Sequence, residues 1–97
     1  MLAIRNKQIE LQVTPGEECK HVIDDESFPE WGDCPAILIA PQISLRCPVY
    51  CEGRSVVLEL NALDCTFPQP SVGFSVSVFW NGEMHRVASG YLRRQKK

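Results

Sequence analysis

No long hydrophobic run occurs in this chain of 97 residues. The longest apolar stretch, Ala36-Ile37-Leu38-Ile39-Ala40, is far short of the roughly 20 residues a membrane span requires. The start, Met1-Leu2-Ala3-Ile4-Arg5, has no apolar signal-peptide segment. A cytoplasmic protein with no membrane contact is therefore expected. Phosphate-binding glycine motifs are also missing, since neither G-x-G-x-x-G nor G-x-x-x-x-G-K-[ST] occurs, and the hydrolase elbow G-x-S-x-G is absent. With only 2 histidines, any acid–base or nucleophilic scheme must use His21 or His85. No internal repeat or low-complexity segment suggests a solenoid or a linker. Lys and Arg number 10 against 12 Asp and Glu, so no strong net charge of either sign points to a polyanionic or polycationic partner. No cofactor is expected. The length suits one domain spanning 1–97, with 92–97 as a basic tail.

Cysteine is present in an odd number, 5, and in a reducing compartment that argues for buried thiols rather than a disulfide framework. Cys47 and Cys51 form a C-x3-C pair, but on an alternating segment they lie about 13 Å apart along a strand, too far for one metal ion. Cys19 and His21, with Cys34 as a third donor, are the candidate metal ligands, although structural zinc sites normally need a second close-spaced pair.

Alternation of apolar and polar residues is the dominant pattern. Gln8 to Thr14 places Ile9, Leu11 and Val13 on one side, which predicts a half-buried antiparallel strand. Ala36 to Ala40 suits a buried strand, and Pro41-Gln42 bends the chain after it. Ile43 to Cys51 alternates, with Pro48 placing it at a sheet edge or a bulge. Glu52-Gly53-Arg54 turns it into Ser55–Asn61, a first hairpin. Asn81-Gly82 between two alternating runs predicts a two-residue type I′ turn, with Trp80 facing Glu83, Phe79 facing Met84, Val78 facing His85, Ser77 facing Arg86 and Val76 facing Val87. Asp64–Ser71, with Pro68 and Pro70, reads as an irregular crossing loop. Thr14-Pro15-Gly16-Glu17 resembles a capping box and predicts one short helix near 15–23. The expected fold is mainly β, a small antiparallel sandwich or open barrel of about six strands.

The segment from Asp24 to Asp33 carries five carboxylates, no base, and two aromatics, Phe28 and Trp31. It reads either as a solvated loop whose aromatics tuck over the end of the core, or as a binding loop. In the second case Phe28 and Trp31 anchor a partner while Asp24, Asp25, Glu26 and Glu30 meet its basic surface. The calcium-hand spacing D-x-[DN]-x-[DN]-G-x5-E is absent. Charge is split along the chain: Glu10 to Asp33 holds eight acids against Lys20 alone, whereas Arg86 to Lys97 holds five bases and no acid. Arg93 and Arg94 could therefore meet the acidic loop of another subunit in a homodimer, or of the same chain. Four bases at a chain end are too narrow a basic face for nucleic acid.

Three function classes follow. The first is a non-enzymatic β-domain acting as a protein-interaction or assembly module, self-associating most simply as a dimer. The second is a small-ligand binder with an aromatic pocket built from Phe74, Phe79, Trp80, Tyr91 and His85. The third is an enzyme in which a cysteine is activated by a histidine.

Overall fold

Among the described residues the alternating segments form seven strands: β1 (Lys7–Val13), β2 (Cys19–Ile23), β3 (Ala36–Ala40), β4 (Leu45–Glu52), β5 (Ser55–Leu60), β6 (Ser71–Trp80) and β7 (Glu83–Arg94). The computed structural model describes residues 4–95. The strands lie in the order β1-β7-β6-β3-β4-β5-β2 in a sheet nearly closed into a barrel. The mainly β expectation holds. The inward residues of every strand fill one core, with Leu38, Val56, Val72, Val76, Val78 and Leu92 fully enclosed. No helix among the described residues is long and apolar enough to cross a membrane.

The two hairpins form where the turn chemistry places them. Glu52 pairs with Ser55 across Gly53-Arg54. At the second turn Asn81 and Gly82 both have positive φ, 54° and 81°, as a type I′ turn requires. The predicted register holds from Trp80/Glu83 to Ser77/Arg86, after which a bulge shifts it so that Val76 faces Ala88 and not Val87. The extra residue lets both Val87 and Ala88 turn inward, and both are buried.

Four other expectations are corrected. The predicted helix near 15–23 is a turn followed by β2. Glu17 N donates to Thr14 O at 3.0 Å and Gly16 takes φ +82°, which stops helical propagation. Cys19–Ile23 then pair with β5 throughout. That strand raises the number from six to seven. β1 runs parallel to β7, not antiparallel to a neighbour; one wet face does not dictate direction at the end of a sheet. β4 is not an edge. It pairs with β3 over Leu45–Val49 and with β5 over Tyr50–Glu52, passing from one half of the sheet to the other at Val49/Tyr50. Continuing the β4–β5 register would set Pro48 opposite Glu59 in a position that needs a backbone N–H, which proline lacks. The ladder stops there, and Cys47 Sγ donates to Glu59 O at 3.5 Å instead.

The residues 61–70 cross from β5 to β6, over the end of the intervening β3 and β4. The expected basic tail is strand as far as Arg94, with Gln95 N donating to Val13 O at 2.8 Å. Lys96 and Lys97 lie outside the described residues.

Candidate interaction surface

The acidic loop is a plug. Phe28 and Trp31 are 1% and 2% exposed, with ring centroids 5.4 Å apart, and Trp31 stands edge-on to Trp80 at 5.9 Å. Trp31 Nε1 has no hydrogen-bond partner among the described residues, the polar cost of burying this ring. The loop backbone is fastened by the β4–β5 turn. Trp31 N donates to Gly53 O at 2.9 Å, and the Arg54 guanidinium donates to Phe28 O at 2.9 Å and to Glu26 O at 3.2 Å. The reading of Phe28 and Trp31 as partner anchors is therefore corrected. Burying two large rings at the barrel end gains more than leaving them in water, on the order of 2 kcal/mol each.

Two of the loop's carboxylates, Asp25 and Glu26, meet a base of their own chain. Arg5 reaches Asp25 at 3.1 Å and Glu26 at 3.2 Å, Lys7 donates to the Asp24 carbonyl, and Ser55 Oγ donates to the Asp24 carboxylate. Two hydrogen bonds from Ser27, its side chain first and then its backbone N–H, together with the Arg5 guanidinium, hold the Asp25 carboxyl down at about 2. Glu30 is exposed beside Gly53. Arg93 pairs with Glu10 at 3.1 Å, and Arg94 donates to Phe67 O at 3.2 Å and to Pro68 O at 2.8 Å. Both arginines thus have partners within the chain.

The expected aromatic pocket does not assemble. Phe74 faces the core while Phe79 and Tyr91 face out. Trp80 and His85 do meet, with rings 5.7 Å apart, and His85 Nε2 lies 3.9 Å from Glu83. The candidate metal ligands also divide. Cys19 lies near Cys65, Cys34 lies near Cys51, and His21 is exposed on β2. Burial raises the Cys19, Cys47, Cys51 and Cys65 thiols, the last two to about 11, so each is held protonated at neutral pH.

What the strand pattern did not reveal is how the outward residues line up across the sheet. Val22 on β2 faces Val57 on β5, and Val57 faces Tyr50 on β4. Ala36 pairs with both Val49 and Val78, which sets Pro35 between Tyr50 and Phe79, and Phe79 N donates to Pro35 O at 2.9 Å. Phe79 in turn faces Met84 on β7. One apolar row, Val22-Val57-Tyr50-Pro35-Phe79-Met84, therefore runs across the strands on the outside of the barrel. Val22, Tyr50, Phe79 and Met84 are 45%, 41%, 45% and 56% exposed, whereas Val57, flanked by Val22 and Tyr50, is 3% exposed. Tyr50 Oη donates to Glu59 at 2.9 Å, which lays its ring along β5. Each apolar outer residue was visible in the sequence as the exception on a polar face, but only the register makes them neighbours.

A second feature is the opening where the β4–β5 ladder stops. It holds about 750 Å³ and is lined by Cys19, Lys20, Arg46, Cys47, Glu59 and Asp64 among others.

The chain matches no protein-family model and no curated protein sequence.

Proposed function

We propose that this chain is a non-enzymatic β-domain that acts as a protein-interaction module and associates with itself. The observation that supports this reading is the row of outward apolar side chains, contiguous in the register and exposed on four strands. Scattered single apolar residues need no explanation on a protein surface, whereas a continuous band of them favours a partner surface. The Cys51 and Cys65 thiols, held protonated by burial, favour binding over cysteine–histidine catalysis.

A small-ligand binder is the second reading, favoured by the opening beside Pro48 with its mixed polar and thiol lining. The two readings separate in one experiment on the full chain in reducing buffer. Light scattering after size-exclusion chromatography gives a dimer mass for a self-associating module. A monomer whose melting temperature rises with a small molecule from a ligand screen supports the second reading, and overturns the first.

A further inference from the structure

β3 and β4 pair from Ala40/Leu45 to Ala36/Val49, and two steps further along the same register Cys34 stands opposite Cys51. Contacts on both sides of the pair hold the two segments together. Pro35 O accepts from Phe79 N at 2.9 Å, which keeps the chain extended ahead of β3, and Trp31 N donates to Gly53 O at 2.9 Å beyond the pair. The turn in which Cys34 N donates to Trp31 O at 3.4 Å takes up the extra residue on the loop side. Cys34 and Cys51 have the parity of the buried Ala36 and Val49, and both pack half-buried against the core. The Cys34 thiol adds to burial in raising Cys51, as a close neighbour does. Directly opposed residues of an antiparallel pair have Cα atoms about 4.5 to 5.5 Å apart, inside the roughly 4.4 to 6.8 Å that a disulfide spans. The other thiols do not meet these conditions. Cys47 and Cys65 are 8% and 0% exposed, out of reach of an external oxidant, and Cys19 faces Leu60 across its ladder.

We propose that Cys34 and Cys51 form a modification site, a dithiol that a small-molecule disulfide oxidises to an intramolecular crosslink. The bond fastens the acidic loop to the β4–β5 hairpin. Burial holds Cys51 protonated, so the first attack falls to Cys34, which follows the exposed Gly32-Asp33. Cys34 loses its proton and its sulfur attacks one sulfur of the small disulfide, expelling a thiolate that takes up a proton. Cys51 then loses its proton and attacks the Cys34 sulfur of the mixed disulfide, expelling the second small thiol. Two electrons pass from the protein to the oxidant, and two small thiols are released for one bond formed. The opposed register makes the second step intramolecular, which offsets the protonation of Cys51. The first half of the loop is already tied by Arg5 to Asp25 and by Arg54 to the Phe28 carbonyl, and the crosslink ties its exit into β3. Neither thiol belongs to the outward apolar row, so this site is independent of self-association.

The full chain, fully reduced and then incubated with oxidised glutathione, tests this by non-reducing peptide mass mapping after alkylation. Fragmentation separates Cys51 from Cys47, which share a tryptic peptide. The expected product is a Cys34–Cys51 crosslink, two hydrogens lighter than the dithiol, without retained glutathione and reversed by dithiothreitol. Its melting temperature is expected to rise by about 5 °C or more, because the bond restricts the unfolded chain. Cys51→Ser is expected to keep glutathione on Cys34. Cys34→Ser is expected to carry less than about a tenth of that amount on Cys51, since the buried thiol does not start the exchange. Circular dichroism confirms the fold of each variant, and Ala replaces Ser where one unfolds. Glutathione retained on Cys34 of the unsubstituted chain, without a crosslink, overturns the opposed geometry. A crosslink through another cysteine or between two chains overturns the site, as does a native chain that stays fully reduced under conditions that oxidise it when denatured.

Discussion

Gly90 on β7 lies so close to Ile9 on β1 that a Cβ placed on it would fall 1.7 Å from the Ile9 carbonyl oxygen. The contact is the point at which the first strand docks, in parallel, against the last. Gly90 also takes φ +153°, a conformation that residues with a side chain rarely adopt. Gly90→Ala is thus expected to displace β1 and cost at least about 2 kcal/mol, roughly 10 °C of melting temperature. Gly73→Ala is the control, since its nearest neighbour, Gly90 O, would be at an ordinary 3.9 Å. Equal melting of the Gly90 variant and the unsubstituted chain would refute the parallel docking.

Trp31→Ala is expected to destabilise the monomer by about 3–5 kcal/mol, because it empties a position enclosed by Phe28 and Trp80. Urea unfolding at low protein concentration reads this directly. A partner anchor would behave in the opposite way, with unfolding unchanged and association lost.

Much of this architecture was legible in the residues, and the reasons for the exceptions are local. Asn81-Gly82 dictates its own turn, so the register was readable as far as Ser77, and the bulge beyond it carries no composition signal in Val87-Ala88. The Thr14–Glu17 segment satisfies a helix-start pattern, yet the same residues close a turn, and only the pairing of β2 with β5 decides between them. Pro48 was read as an edge marker; it does interrupt a ladder, but on one side of an internal strand. The candidate site was less legible. Phe28 and Trp31 stand among carboxylates in sequence and are buried all the same, because Arg5, Lys7, Ser55 and Arg54 satisfy the polar groups around them. The apolar row joins residues from 22 to 84, and no window of sequence contains it.

Acid sensitivity should centre on Asp25. Its carboxyl sits at about 2 in the folded chain against an ordinary 3.8, so folding favours the ionised form. The stabilisation is present above the ordinary value and is lost as pH falls through the folded one. Stability measured by urea midpoint is expected to decline between about pH 4 and pH 2 more steeply in the unsubstituted chain than in Asp25→Asn. Parallel curves for the two proteins would remove Asp25 from that role.

Alkali acts through the buried thiols. Cys51 and Cys65 are raised from 9.0 to about 11 by burial, with neighbouring thiols adding to it, so the folded chain keeps protons that the unfolded chain gives up. Their contribution is intact below pH 9 and is lost as pH rises from there through about 11. Cys65→Ala should flatten part of this decline, whatever it costs in packing. Cys65 is also expected to react with iodoacetamide only under denaturing conditions, as read by peptide mass mapping; rapid labelling of the native chain would contradict its burial.

Native mass spectrometry of the freshly purified chain across a concentration series, in reducing and chelator-free buffer, tests the central claim most directly. A dimer without added mass, its fraction rising with concentration, is the expected result. A monomer at every concentration would contradict self-association, and a monomer carrying a metabolite-sized increment would move the function to the opening beside Pro48.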